Sequence, residues 1–597
     1  MRLLLDRTQK YFANTSAMSL FFCLAVLMYV LAYFSSVFAP GLSNPLGWWG
    51  WWDQSQYLRS ADALAHGNLD PSEHWYPLGY SLLGAIFFRW VPLHAFFVPN
   101  LLCFLAFGLS LVHMAKALGL ARAWGVVALF AGAVLPSLML EQYVIPWSTI
   151  PLAAAYGWIM LLYLLCMRDG FTRGRMVGLA LLFVAVIAVR PTDVFPLVPL
   201  AAHLAVGLVR AWQTGDKRAV LSVAAWGGLT ALGGLAAYAA LHVAIYGWSP
   251  STYMEMASAL GFDFRSIPYK YALIFGDPRE FYGSGLGIFA RYPFAILGLF
   301  GVVYVLLFGR QARMLSIVVI ASVGLYLAFT DFHPGNMWRY KLIHYIAWTF
   351  PVALLLAFFA VSDAVARRRW TAAVVALVVT ALLGTVSLRA RGEVPPVQVT
   401  VRGDRLSLQF AEPTSLLAYR IDGVRKENGR ATPLLYGKAL ADGVTWSSVS
   451  DYRVSEVDGS TFVLFNRPQR LTRFDLPIEP GADATGATAV ALVPRPTLML
   501  PHRRPEDGDT VARVQSLREQ QATVERCPGE APRSDAQPAL DSDFLRSAYQ
   551  TVLGRNPDPS GFEGGCQLLV SGTLTRPQLL RSMMDSEEFR AKAKRGP

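Results

Sequence analysis

The residues most suited to chemistry lie in the segment that follows the first apolar run. Residues 47–87 read GWWGWWDQSQYLRSADALAHGNLDPSEHWYPLGYSLLGAIF. A helix beginning at Asp53 would place Asp53, Tyr57 and Ala61 on one face, and Gly67 would end it. A carboxylate there, beside a membrane surface, could accept the proton of a hydroxyl group that attacks an electrophilic carbon. Asp53 is therefore a candidate general base.

The same residues also have an interpretation without chemistry. Asp53 followed three residues later by Gln56 fits a capping box at a helix start. The tryptophans around Asp53 fit the aromatic belt of a membrane interface; they are Trp48, Trp49, Trp51 and Trp52. The local residues leave both interpretations open.

A longer pattern extends beyond Asp53 and resembles a known family. Its members are Asp53, Tyr57, Ala61, Leu64 and Gly67, followed by Tyr76-Pro77-Leu78-Gly79-Tyr80. This pattern resembles the first extracytoplasmic loop of the GT-C superfamily of membrane glycosyltransferases. Within that superfamily it is most similar to the branch of protein O-mannosyltransferases and bacterial aminoarabinose transferases of lipid A. It departs from many members at Gln54, where they have a second acidic residue, and at Leu78, where they have a second proline.

The resemblance implies an enzyme and a role for Asp53. Members transfer a sugar from a polyprenyl-phosphate carrier at the outer membrane face, and an acidic residue of this loop is essential. We therefore expect an inverting glycosyltransferase with Asp53 as the catalytic residue. Its partners would be the polyprenyl-phosphate-linked sugar donor, a glycan, lipid or protein acceptor, and membrane lipids.

Cations near the predicted outer face are candidates for binding the donor phosphate, since negative charge builds on that group as the glycosidic bond breaks. The segment TDFHPGNMWRYKLIHY supplies His333, Arg339 and Lys341, and AVRPTD supplies Arg190. The alternative for the first group is snorkelling to lipid headgroups. For Arg190 the alternative is an ion pair with Asp193.

Other polar residues are further candidates for substrate binding. Tyr57 and Tyr76 belong to the motif, and Glu73 and His74 directly precede its second half. Glu73 and His74 could complete a metal or acceptor site with Asp53, which leaves a divalent metal open as a cofactor; the alternative is a solvated loop pair. The outer loop 246–292 is an expected acceptor-recognition lid, with Tyr253, Asp263, Arg265, Tyr269, Asp277, Arg279 and Glu280.

The composition of the chain indicates that these residues belong to a membrane protein. Of the 597 residues 54% are apolar and only 16% are charged, against about 25% charged in soluble domains. The net charge of +12 comes from basic clusters between apolar runs, which suits membrane topology better than nucleic-acid binding. The five cysteines form no zinc pattern, and no GxxxxGK phosphate loop is present. A soluble enzyme with a nucleotide-sugar donor is therefore disfavoured.

Eleven apolar runs are expected to cross the membrane. They lie near 15–38, 94–116, 122–140, 147–167, 176–192, 194–210, 219–246, 293–309, 314–330, 341–361 and 370–388. The run 76–92 is expected to lie against the outer face, because basic loops must remain inside. Those loops contain Arg168, Arg173 and Arg175; Arg210, Lys217 and Arg218; Arg310 and Arg313; and Arg367, Arg368 and Arg369.

The expected fold is an α-helical polytopic membrane protein of GT-C type, followed by two small extracytoplasmic domains. Residues 1–392 form the membrane domain, and the alternating residues of 395–500 predict a β-rich domain. A linker at 501–540 precedes a helical domain at 541–592. That last segment is similar to a small bacterial domain of unknown function found in surface-associated proteins. The expected location is the bacterial inner membrane, with the C-terminal domains in the periplasm.

Two cysteines, Cys527 and Cys566, would then lie in an oxidising compartment. A disulfide could attach the linker to the helical domain, or both thiols could be unpaired. The linker composition provides no reason for Cys527 to be held near the domain, and this favours unpaired thiols.

Two other classes of function also fit many apolar runs. A transporter or lipid flippase would be expected to carry ionisable residues near mid-membrane and to show repeated halves. A non-catalytic component of glycan assembly would use the C-terminal domains to recruit enzymes. Most charges lie at the ends of the runs, which favours the glycosyltransferase.

The orientation of the chain can be tested with fused reporters. Reporters placed after Gly392 and after Asp541 should both be outside, and one after Arg369 should be inside, because the basic residues at 367–369 stay cytoplasmic. Alkaline phosphatase and green fluorescent protein fusions measure the two locations. An inside signal at Gly392 would contradict the model of eleven crossings.

Overall fold

The computed structural model describes residues 15–36, 39–40, 47–50, 52–276, 286–310, 312–329, 332, 342–387, 396–426, 438–447, 452–457, 460–478, 482–492, 541–549, 559–571 and 573–584. The described chain forms two units. One contains residues 15–254 and 541–584, and the other contains residues 255–492. Each unit is described by itself below.

The first unit is helical. Its helices are α1 (Thr15–Ser35), α2 (Trp52–Ala65), α3 (Leu78–Phe88), α4 (Phe97–Ala117), α5 (Ala123–Leu129), α6 (Ser137–Val144), α7 (Thr149–Asp169), α8 (Arg173–Val189), α9 (Val198–Thr214) and α10 (Lys217–Tyr246). Helix α11 (Thr252–Leu260) begins in this unit. Short 3-10 turns at Gly47–Gly50, Pro71–Glu73, Pro92–His94 and Pro191–Leu197 connect them.

The second unit contains more helices and all of the described strands. The helices are α12 (Ile267–Tyr271), α13 (Ile288–Arg291), α14 (Phe294–Phe308), α15 (Arg313–Ala328), α16 (Thr349–Ala366) and α17 (Trp370–Ser387). The strands are β1 (Gln398–Arg402), β2 (Arg405–Asp422), β3 (Arg425–Lys426), β4 (Lys438–Ala441), β5 (Val444–Ser447), β6 (Tyr452–Val457), β7 (Ser460–Pro477), β8 (Ala482–Asp483) and β9 (Thr488–Leu492).

Several helices match the dimensions of a lipid bilayer. Within the described ranges, five are long and apolar enough to cross a membrane: Pro92–Ala117, Thr149–Asp169, Pro191–Thr214, Lys217–Tyr246 and Thr349–Ala366. A bent helix pair would make six if it counts as one span. The expectation of a mostly helical, multi-pass membrane protein with a later β-sheet region is confirmed, and the count of eleven crossings stays a prediction.

The bent pair differs from the single span expected at 122–140. Residues Ala123–Val134 and Ser137–Val144 meet at 89°. Pro136 lies at the break, and its ring and missing N–H group interrupt a continuous helix. A π-helical turn at Phe130–Val134 directly precedes it. Hydropathy alone does not register such a break, since both halves are apolar.

The segment 76–92 contains α3 (Leu78–Phe88), a helix of 11 residues. At 1.5 Å per residue its length is about 16 Å, roughly half of the ~30 Å hydrocarbon core. It is therefore too short to cross a bilayer by itself.

The strands form a seven-stranded antiparallel sheet in the order β1-β2-β7-β4-β5, with β6 also on β7 and β9 also on β2. Strands β3 and β8 form a separate pair. Leu408 and Phe410 are buried while Gln409 between them is exposed, as the period of two along a strand requires. The buried face packs around aromatic rings such as Phe474, which faces Leu408 in the register of β2 and β7.

The C-terminal helices α18 (Asp541–Ala548), α19 (Pro559–Val570) and α20 (Arg576–Met584) enclose a small core. Helix α18 lies against the Gly47–Gly50 turn of the same unit. Cys566 is buried in the core and disulfide-bonded, whereas Cys23, Cys103 and Cys166 are free. The expectation of an unpaired thiol is therefore wrong for Cys566, because the composition of a linker does not reveal a covalent constraint. Cys527 lies outside the described residues.

Close helix packing in the second unit depends on a missing side chain. A Cβ added at Gly301 of α14 would lie 2.5 Å from Ala357 Cα of α16, and it would also meet the Ala357 backbone nitrogen. Both of these are backbone atoms, which cannot rotate away. The two helices can therefore approach this closely only with glycine at position 301.

Gly301→Ala should lower thermal stability. Overpacking costs about 1–3 kcal/mol, which exceeds the gain of up to ~1 kcal/mol in helix propensity from glycine to alanine. Gly324→Ala on α15 is the matched control, since nothing lies within 4 Å of its added Cβ, and its Tm should stay equal or rise. Thermal unfolding in detergent measures both variants. Equal Tm values for the two would contradict the close approach.

Candidate active site

Asp53 lies in the first turn of α2 and is partly exposed. A negative charge at this end of a helix is favoured by the unpaired N–H groups and the helix dipole. At the other end Gly67 has φ +72°, and the Asn68 N–H donates to the Ala63 carbonyl over 2.8 Å. This left-handed position is one that glycine adopts at low cost.

Tyr76 donates a hydrogen bond to Asp53. The distance from the Tyr76 hydroxyl to Asp53 Oδ1 is 2.5 Å. Burial raises the pKa of Tyr76 well above its ordinary value, and the charge of Asp53 raises it further. The phenol therefore keeps its proton at neutral pH and acts as the donor.

Two other tyrosines hold the Tyr76 ring, and we call Tyr57, Tyr76 and Tyr253 the tyrosine cluster. The ring centroids of Tyr57 and Tyr76 are 4.5 Å apart with an interplanar angle of 24°, which is a stacked arrangement. The ring of Tyr253 lies 4.8 Å from that of Tyr76. The backbone N–H of Tyr253 donates to the Trp75 carbonyl over 3.3 Å. The cluster therefore joins α2, the turn before α3 and the start of α11.

Arg190 reaches this cluster through hydroxyl groups. Its Nη2 donates to Ser148 Oγ over 2.5 Å and to Thr149 Oγ1 over 3.1 Å. The Tyr57 hydroxyl also donates to Ser148 Oγ, over 3.2 Å. Arg190 is 5% exposed and Asp193 is 1% exposed, with Arg190 Nε 3.6 Å from Asp193 Oδ2. Arg190 thus forms the ion pair with Asp193 that was considered as the alternative to phosphate binding.

The charge of Arg190 also affects Tyr57. Burial raises the pKa of Tyr57, and the nearby guanidinium opposes that shift. The Tyr57 hydroxyl remains protonated at neutral pH and can donate to Ser148.

His74 is buried among loop groups. Its Nδ1 is 2.8 Å from Ser60 Oγ, and its Nε2 is 3.1 Å from the Asn68 carbonyl. Since a carbonyl only accepts, Nε2 carries the proton and Nδ1 accepts from Ser60 in the neutral ring. Burial lowers the pKa of His74, which favours this neutral form. The Tyr246 hydroxyl donates to the His74 carbonyl over 2.7 Å, so His74 joins the loop before α3 to the end of α10.

Glu73 is paired with Arg59 at 2.6 Å. The partners of Glu73 and His74 favour a role in stabilising the loop over ligation of a metal or substrate. Across the described ranges no group of three His, Cys, Asp or Glu side chains is placed to hold a metal ion. Asp53, Glu73 and His74 therefore do not form such a metal-binding group, and their role in acceptor binding stays a prediction.

The other predicted residues lie outside the described ranges or in the second unit. His333, Arg339 and Lys341 lie outside the described residues, as do Asp277, Arg279 and Glu280. Asp263 belongs to the second unit, where its backbone N–H donates to the Ala328 carbonyl over 2.7 Å.

Ser148 and Thr149 were not predicted from the sequence as site residues. Both are buried at the start of α7, and both accept from Arg190. Their signal was weak but present: two adjacent hydroxyl residues at the head of an apolar run of about 20 residues. Hydroxyl groups at such a position often satisfy a polar partner inside a helical bundle.

Comparisons with known proteins give two findings. Residues 533–593 match a family described as "Domain of unknown function (DUF4214)". The crystal structure of ArnT from Cupriavidus metallidurans, bound to undecaprenyl phosphate, is similar with 16% sequence identity and a TM-score of 0.41. The similarity covers 63% of this chain and 65% of that chain, slightly less than two thirds of its length. No match is found among curated proteins.

Asp193→Asn should destabilise the protein. The change leaves the buried Arg190 guanidinium without its carboxylate, and breaking a buried pair in this way costs about 3–5 kcal/mol. The matched control is Asp169→Asn, which removes a carboxylate paired with Arg168 at the surface and should change stability little. Thermal unfolding in detergent compares the two. A native Tm for Asp193→Asn would show that the carboxylate is not needed to balance Arg190.

Proposed function

We propose that this protein is an inverting glycosyltransferase that moves a sugar from a polyprenyl-phosphate carrier to a glycan, lipid or protein acceptor. The observation that carries the proposal is the Asp53 carboxylate, which is partly exposed at the head of α2 and held by the Tyr76 hydroxyl. The donor class rests on the sequence motif around Asp53, and not on the structural likeness to ArnT.

The proposed reaction is a single displacement. Asp53 accepts the proton of the acceptor hydroxyl while that oxygen forms a bond to the anomeric carbon. The bond between the anomeric carbon and the phosphate oxygen breaks, and its electron pair stays on the phosphate. Attack from the face opposite the leaving group inverts the anomeric configuration.

The position of Asp53 suits a base of this kind. The helix dipole favours its ionised form, which is the form that can accept a proton. Its hydrogen bond from Tyr76 favours the same form. Because the leaving group is already a phosphate, the reaction needs cations there and not a general acid.

The donor phosphate requires positive charge at the outer face. His333, Arg339 and Lys341 are the proposed ligands, since they precede an apolar run and ionisable groups at this depth are costly to keep without a role. Arg190 is proposed to influence the site indirectly, by holding Ser148, which in turn accepts a hydrogen bond from Tyr57.

The proposed location is the bacterial inner membrane. The catalytic residue would face the periplasm, and the β-sheet domain and C-terminal helices would lie on the same side. Polyprenyl-phosphate-linked sugars are membrane-bound donors, so a site at the head of a membrane-surface helix could receive them from the outer leaflet.

A transporter or flippase and a non-catalytic assembly component are the competing functions. Neither requires a base at position 53. The effect of removing that base therefore separates the glycosyltransferase from both.

Asp53→Asn should reduce sugar transfer by about a hundredfold or more, the scale expected for loss of a general base. Asparagine keeps the size of the side chain and most of its capping capacity. Membrane vesicles supplied with undecaprenyl-phosphate-linked sugars, one at a time, would be assayed for released undecaprenyl phosphate by mass spectrometry.

Asp62→Asn is the matched control, because it makes the same change on the same helix at a carboxylate paired with His66. It should retain transfer. Near-native transfer by folded Asp53→Asn would exclude Asp53 as the base, and with it the proposed function.

A further inference from the structure

The tyrosine cluster does more than line the proposed site. Two segments meet on the ring of Tyr76, which lies in the turn before α3: α2 supplies Tyr57, and the start of α11 supplies Tyr253. The hydroxyl of Tyr76 lies 2.5 Å from Asp53 Oδ1. Substrate binding was expected of Tyr76, but its hydroxyl is directed at the carboxylate.

We propose that Tyr76 is a positioning residue that orients Asp53 and keeps it ionised, with Tyr57 and Tyr253 holding the Tyr76 ring in place. The inference rests on the proposed function, because it concerns the base of that reaction. It gives Tyr76 a role through another residue and adds Tyr253 to the site.

Orientation follows from the geometry of a carboxylate. Its two oxygens are joined rigidly, so a strong hydrogen bond to Oδ1 determines where Oδ2 points. Hydrogen bonds to a charged acceptor are about twice as strong as neutral ones. With Oδ1 held by Tyr76, the plane of the carboxylate is set, and with it the direction from which the acceptor hydroxyl approaches.

The ionised state follows from the same bond. A donor that bonds to the charged form of a carboxylate favours that form over the protonated one. The base therefore stays active at lower pH than it would without Tyr76. The other titratable groups that act on the cluster are Arg190, whose charge acts to lower the pKa of Tyr57, and the Tyr57 and Tyr253 phenols, which raise the pKa of Tyr76.

The ring contacts explain how Tyr76 keeps its position. Tyr57 stacks on it and is itself fixed by its bond to Ser148. Tyr253 is fixed by its backbone bond to the Trp75 carbonyl, next to Tyr76 in the chain. The outer loop after α10 thus contributes to the orientation of a carboxylate almost 200 residues earlier.

The test is Tyr76→Phe, which keeps the ring contacts and removes only the hydroxyl. We expect kcat to fall by about tenfold or more with KM for the donor nearly unchanged, since orientation of the base matters in the transition state. We also expect the acid limb of the pH–rate profile to move to higher pH by about one unit. A variant with lower kcat and a native acid limb would overturn the inference.

Tyr80→Phe is the matched control. Tyr80 contacts the Tyr57 ring, but its hydroxyl donates to Asn100 Oδ1 and not to Asp53. This variant removes a buried phenol hydroxyl from the same neighbourhood and should keep the native pH profile. A shift of the acid limb equal to that of Tyr76→Phe would show that weaker packing around the tyrosines, and not the hydrogen bond to Asp53, determines the pH–rate profile.

A second measurement does not depend on transfer. Dicyclohexylcarbodiimide modifies protonated carboxyl groups, so the pH dependence of Asp53 labelling reports its protonation. The midpoint pH of labelling should move to a higher value in Tyr76→Phe. It should move in the same direction by a smaller amount in Tyr253→Leu, because that change removes a ring contact with Tyr76 but leaves the Tyr76 hydroxyl in place. Peptide mass spectrometry quantifies the label.

These readouts separate the inference from the proposed function. If Asp53→Asn abolishes transfer while Tyr76→Phe keeps native labelling and a native acid limb, the assignment of Asp53 as the base is supported and the role of Tyr76 is refuted. If Asp53→Asn retains transfer, the proposed function fails, whatever Tyr76 does to the labelling.

Discussion

The hydrogen bond from Tyr76 to Asp53 requires several parts of the first unit to be in place at once. Helix α2 must begin just before Asp53, and the turn before α3 must bring the phenol to it. Close contact between α3 and the end of α8 supports that turn: a Cβ added at Gly79 would lie 2.6 Å from the Ala188 backbone carbon. A side chain at position 79 would displace α3, and Tyr76 would move with it.

Two buried polar side chains near this bond, those of Arg190 and His74, have partners within the protein. Arg190 is bonded to Ser148 and Thr149 and paired with Asp193, and His74 has partners at both ring nitrogens. Buried polar groups without partners would cost several kcal/mol each. The network therefore gives the outer loops a defined arrangement, which a base needs if it is to be held within a fraction of an ångström.

Helix geometry made part of this site predictable. The four-residue spacing of Asp53 and Tyr57 and the stop at Gly67 indicate α2, whose structure runs from Trp52 to Ala65. Helical and strand periodicity also indicate the apolar runs and the later sheet. Such features depend on neighbours within a few residues in the chain, and a sequence displays those directly. The break at Pro136 was missed because hydropathy averages over it.

By itself the sequence determined the chemistry available after the first apolar run: a carboxylate at a helix start and tyrosines after it. Only the tertiary structure decided which groups meet. It bonded Arg190 to Ser148 and Thr149, enclosed His74 between Ser60 and Asn68, and brought Tyr253 onto Tyr76. Those contacts join residues up to about 180 positions apart. Local periodicity carries no information about them, because they arise from the packing of whole helices.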